Sequence, residues 1–275
     1  MRIVNIPAGY YRQFDADFSL DVPAEGYGGW ERTVLPLDLD RTALAVMHAW
    51  DFGTREQYPG WHRAVEYIPR AEDICRKVFP RLLGRVRASG MRLFHIACCG
   101  DYLNRYPGYL TTAKLTGQEP GRPETVISDP VLENLRQFKS DRAFPGAHNR
   151  DDIARGFASL DFPSEAKPAD DEPIAVTEEQ LFMLCKKYGV NHLVYAGFTI
   201  NGCLLASPCG IVDMSRRGIL CSAIRQAVTA IENNRTARTE AAKELGLWYV
   251  SIISGFIYDA DDFINGISGR GETKK

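Results

Sequence analysis

Short, continuously apolar runs alternate with segments of helical period along most of the chain. TALAVM at Thr42–Met47, MRLFHIA at Met91–Ala97, HLVYA at His192–Ala196 and GILCSA at Gly218–Ala223 hold few polar positions, so each reads as a strand buried on both faces. LWYVSIIS at Leu247–Ser254, rich in aromatic and β-branched residues, reads as the final strand. Between these runs, Arg70–Ser89 repeats apolar side chains at Ile74, Val78, Phe79, Leu82, Leu83 and Val86, a helical face interrupted at Pro80 and closed by Gly90. Thr177–Tyr188 opens with Thr-x-x-Gln, a capping-box pattern, and stops at Gly189. Asp129–Lys139 and Arg235–Leu245 are the other predicted helices. Strand and helix in alternation predict an α/β fold: a single doubly wound domain with a mainly parallel sheet flanked by helices, and a site at the carboxyl ends of the strands.

Two regions lack this regularity. Residues 1–40 are rich in aromatics, Gly and Pro and sustain no helical period, so they are expected to form an extended N-terminal arm packed on the domain or on a second subunit. Residues 41–265 form the expected domain, and 266–275 a polar tail. Inside the domain, 103–175 is broken by NRYPGY, GQEPGRPE, FPGAHNRDD and SEAKPADDEP, and reads as an irregular insertion or a cover over the site.

Composition narrows the partners. The chain has 275 residues, 45% hydrophobic and 25% charged, enough for a sizeable core. A formal net charge of −2 gives no electrostatic footprint for nucleic acid or a membrane surface, so a small-molecule substrate is expected. No apolar stretch approaches the roughly 18 residues of a membrane span. Seven cysteines without a CxxC pair or a secretory leader read as reduced thiols of a cytoplasmic protein. Glycines in GYLTTAKLTGQEPGRP lack the spacing of a phosphate-binding loop, and no HxH or HExxH is present, so neither an organic cofactor nor a metal is expected.

The chemistry gathers at 191–216. His192–Ala196 is a strand, Gly197 breaks it, and Asn201-Gly202 supplies turn chemistry before a helix that opens at Cys203. The first amides of a helix are unpaired and its dipole is positive there, which favours a thiolate and offers donors to an oxyanion. A small buried hydrophobe is the other use of a cysteine at such a junction. In a parallel sheet, the loops after Met47, Ala97 and Gly197 converge, bringing His48 and Asp51 toward Cys203. Adjacent Cys98 and Cys99 seldom form a relaxed disulfide, and packing is the expected role.

KKYGVNHLVYAGFTINGCLLASPCGIVDMSRRG resembles the isochorismatase-like cysteine hydrolases, the superfamily that includes nicotinamidases. TALAVMHAWDFG, GILCSAIRQAV and WYVSIIS extend the likeness. The resemblance implies a Cys-Asp-Lys triad acting on an amide or related bond, and a homo-oligomer, dimer or tetramer. It places Cys203 as nucleophile, and His48 where the aspartate is expected. Asp51 is a second source of the base. Lys139, in QFKSDRAF, or Lys167 would supply the lysine. Trp50, Asn201 and Gly202 would contact substrate, and Ile200 stands where the superfamily has threonine. Two readings stay open: a hydrolase with an atypical triad, and a catalytically degenerate relative that binds a metabolite or serves in an assembly.

Overall fold

The computed structural model describes residues 1–116 and 125–268. The glycine-rich residues at 117–124 and all of the expected polar tail beyond 268 lie outside the described residues. In chain order the elements are β1 (Ile3–Arg12), β2 (Gly29–Asp38), β3 (Thr42–Met47), α1 (Pro59–Ala64), α2 (Ile68–Lys77), α3 (Phe79–Ser89), β4 (Arg92–Ile96), α4 (Pro107–Thr116), α5 (Pro130–Arg142) and α6 (Arg150–Ala158). Then follow β5 (Ile174–Ala175), α7 (Glu178–Tyr188), β6 (His192–Phe198), α8 (Cys203–Ala206), α9 (Ile211–Arg216), β7 (Leu220–Thr229), α10 (Ala241–Ile253), β8 (Ile257–Tyr258) and α11 (Ala260–Gly266).

The eight strands form one sheet in the order β2-β1-β8-β7-β6-β3-β4-β5. From β8 to β5 every neighbouring pair is parallel, whereas β1 runs antiparallel to both β2 and β8. Alternation along β3 explains the double winding. Leu44 and Val46 enter one hydrophobic core, and Ala43, Ala45 and Met47 the other, so helices must cover both faces. Each fully buried large aliphatic side chain, such as Leu44 and Val46, contributes roughly 1.5–3 kcal/mol.

Several boundaries differ from the sequence reading. The N-terminal segment contributes two strands to the sheet: β1 and β2 pair from Ile3↔Asp38 to Arg12↔Gly29. The helical face across Arg70–Ser89 is two helices, with Pro80 in the first turn of α3, where its missing N–H costs nothing. LWYVSIIS is not a strand. It lies in α10, where Gly246, Leu247 and Val250 are buried at helical spacing while Leu245, Tyr249 and Ile253 stay exposed. Packing of that stripe overrides the β-propensity of its residues, and the last strand is the short Ile257–Tyr258. The helix expected from Arg235 starts only at Ala241. The region read as an irregular insertion holds α4, α5, α6 and the edge strand β5.

Candidate active site

Strand register brings three chain segments to one place. Met47, the last residue of β3, pairs with Ile96 of β4 on one side and Gly197 of β6 on the other. The residues that follow therefore leave the sheet side by side: His48, then Cys98 beyond β4 and Thr199 beyond β6. Gly197 permits this closeness. Its φ is +114°, and a Cβ there would run into the Met47 carbonyl.

His48 turns the chain with a left-handed φ of +51° while its amide donates to the Ile96 carbonyl at 2.9 Å. Such a conformation costs a residue with a Cβ about 1–2 kcal/mol. The imidazole is 5% exposed and stacks on Trp50, with centroids 4.7 Å apart and planes 20° from parallel. Burial pushes its pKa down to about 4, so the ring is neutral at pH 7. Its Nδ1 and the Trp50 Nε1 are buried without a hydrogen-bond partner among the described residues.

Cys203 is the first residue of α8, a single turn whose dipole is correspondingly small. The turn ahead of it is fixed by the Thr199 carbonyl, which accepts from Gly202 N at 3.1 Å and Leu204 N at 3.0 Å. The Cys203 amide lies between these donors and takes no part in either bond. Gly202 is needed for this turn, because a Cβ would come within 2.7 Å of the Thr199 hydroxyl oxygen. That hydroxyl is itself buried and unpartnered among the described residues. The Cys203 side chain is half-buried against the second core, within electrostatic reach of Tyr67 and Cys98. Burial and, secondarily, charge at Cys203 push the Tyr67 phenol upward.

No protein-family model matches the chain, and no curated protein does. Among solved structures, a cysteine hydrolase from Pseudomonas syringae pv. phaseolicola 1448A is similar over 85% of this chain and 95% of its own, with 16% identity and a TM-score of 0.52. The chain shares the fold of that cysteine hydrolase. An isochorismatase-like hydrolase from Alkaliphilus metalliredigens has a TM-score of 0.49 at 17% identity, over 82% of this chain and 98% of its own.

Within this fold, the residues expected around Cys203 are distributed unevenly. Asp51 is exposed, and its carboxylate accepts from Gly53 N at 2.9 Å in a local Asx turn. It lines a cavity of about 220 Å³ with Trp50, Phe52, Glu72, Cys75 and Arg76. Its charge bears on Cys75, whose thiol is pushed up to about 12, chiefly by burial. Lys139 is exposed in the last turn of α5, a helix with no buried residue. Lys167 is also exposed, and its carbonyl accepts from Arg87 at 3.2 Å. Asn201 spends its side chain on the Ile231 backbone, donating through Nδ2 at 2.8 Å and accepting through Oδ1 at 2.9 Å, which ties the turn to the end of β7. Ile200, in the place of the expected threonine, is fully buried in the apolar second core. Tyr67 and Thr199 join the site without any signal in the sequence, since each depends on packing between distant elements. Among the described residues, no group of three or more His, Cys, Asp or Glu is placed to hold a metal ion, and no helix is long and apolar enough to cross a membrane.

Proposed function

We propose that the protein hydrolyses an amide or related bond of a small molecule with Cys203 as nucleophile. The observation that carries this reading is the placement of Cys203 at the carboxyl edge of the central strands, with its own amide left out of the turn's hydrogen bonds. In this scheme the thiol proton passes to the neutral imidazole of His48 as sulfur attacks the carbonyl carbon. The Cys203 amide donates to the oxygen that becomes negative. Collapse expels the amine, which takes the proton back, and water then cleaves the thioester. Burial opposes an imidazolium at His48, and in this scheme the negative charge developing on the Cys203 sulfur offsets that penalty. Asp51 and Lys139 take no step in this scheme, because their side chains serve a local turn and an exposed helix end. Trp50 orients the imidazole by stacking.

One observation favours the second reading, a binding protein of the same fold. A catalytic base is ordinarily oriented by a third group, and the His48 Nδ1 lacks one among the described residues. The two readings separate by incubating the protein with a panel of small primary amides and measuring ammonia release. Hydrolysis is expected, with Cys203→Ala removing it and His48→Ala lowering it by about 10²–10⁴-fold. Turnover that survives Cys203→Ala would overturn the proposal, and turnover of no amide would leave the binding reading in its place. All seven cysteines are free thiols, in keeping with a reducing, cytoplasmic compartment. Phe14, Phe18 and Trp30, exposed on the N-terminal segment, fit packing against a second copy in a homo-oligomer.

A further inference from the structure

We propose that Cys98 and Cys99 form a two-thiol site for a monosubstituted trivalent arsenical, on the same edge of the sheet as Cys203. The two Sγ atoms lie 3.1 Å apart, both as free thiols, directly after β4. One atom of a soft element can bridge sulfurs at that separation, and thiolates select soft centres over hard ones. Closure to a disulfide between adjacent cysteines is strained, so the pair is held as a dithiol.

The four core cysteines do not compete. Cys75, Cys185, Cys209 and Cys221 are buried in the core, and burial raises the pKa of each thiol. Cys99 is exposed and Cys98 half-buried. Burial and the hydrogen bond with Cys99 hold the Cys98 thiol at about 12. The exposed sulfur of Cys99 therefore reacts first and presents the arsenic to Cys98.

The number of donors sets the ligand class. Among the described residues no third His, Cys, Asp or Glu is grouped with the pair to complete a metal site. Inorganic arsenite, which has three exchangeable positions, is poorly matched, whereas an arsenical with one carbon substituent has two. In the reaction of R–As=O, two S–H bonds break and two As–S bonds form. The arsenic oxygen leaves with both protons as water, and arsenic remains trivalent throughout. The charge of Cys203 reaches Cys98, so the occupied site lies beside the candidate nucleophile. The capture itself does not depend on Cys203 being catalytic.

The test uses the full chain and phenylarsine oxide, read by intact mass and by counting thiols that react with iodoacetamide. One adduct per chain is expected, with two thiols protected. It should be reversed by 2,3-dimercaptopropanol but not by 2-mercaptoethanol at the same thiol concentration. Cys98→Ser and Cys99→Ser should each abolish the dithiol-resistant adduct, Cys203→Ser should retain it, and arsenite should bind at least tenfold more weakly. If a serine variant misfolds, seen as labelling of the four buried cysteines, the alanine variant at that position replaces it. An adduct that survives loss of Cys98 or Cys99, is lost with Cys203, yields to the monothiol, or forms equally well with arsenite would overturn the assignment.

Discussion

At the scale of single residues, the candidate site depends on Gly197, His48 and Cys203. Gly197 combines a positive φ with backbone contact against Met47, so Gly197→Ala should destabilise the protein by roughly 3 kcal/mol. Urea unfolding at pH 7.5 checks this, and a loss below 1 kcal/mol would show that β6 can move away from β3. Cys203 at a helix start was legible in the sequence because the cues are local: an apolar strand, a glycine, Asn-Gly, then a helix. His48 at the end of a central strand was legible for the same reason. Its burial and its stacking on Trp50 were not, since both depend on packing between distant elements: Trp50 also meets Phe157 of α6, with centroids 5.6 Å apart. Asp51 looked equally placed in sequence. One bond to Gly53 N decides its role, and only three-dimensional geometry shows it.

At the scale of elements, end-caps account for where several helices begin. Thr177 caps α7 by accepting from Gln180 N at 3.2 Å, so Thr177→Ala should cost about 1 kcal/mol in a thermal or urea melt. The start of α10 uses a more distant group. Glu232, 5% exposed, accepts from Ala242 N at 3.1 Å and Lys243 N at 3.0 Å, while its own amide donates to Glu66 at 2.7 Å. Glu232→Ala leaves those amides without a side-chain partner and should cost about 2 kcal/mol, with Glu232→Gln recovering part of it. An unchanged melting temperature for the alanine variant would show that water replaces this cap. The Thr177 cap was readable because donor and acceptor are three residues apart. Glu232 lies beyond the distance at which a capping pattern is recognised, and the second half of α10, from Leu247, reads as a strand in the sequence. Apolar content alone does not separate a helix from a strand when β-branched and aromatic residues supply it.

At the scale of the molecule, the parallel sheet buries polar groups as well as apolar ones, and this sets the response to acid. His48 and His192 are both held near pKa 4 by burial, and His95 is also lowered. In the unfolded chain they titrate near 6.5. The unfolded state thus binds more protons between these values, and stability present above pH 6.5 is lost as pH falls toward 4. His48 and His192 each contribute on the order of 3 kcal/mol to that loss. Glu172 acts in a lower window. Burial would raise its pKa, but hydrogen bonds from Arg87 and His95 hold it at about 2, so its contribution is lost only as pH falls from about 4.5 toward 2. Unfolding free energy measured from pH 8 to pH 4 should decline below pH 6.5, and a flat profile would contradict the burial of these histidines. The same sheet brings the ends of β3, β4 and β6 together, and in the proposed reaction that convergence supplies Cys203 with its base. The most direct measurement is the iodoacetamide labelling rate of Cys203 at pH 7, followed by peptide mass spectrometry in wild type and in a folded His48→Ala variant. If His48 takes the thiol proton, the substitution slows labelling at least tenfold; an unchanged rate would contradict the pairing of Cys203 with His48.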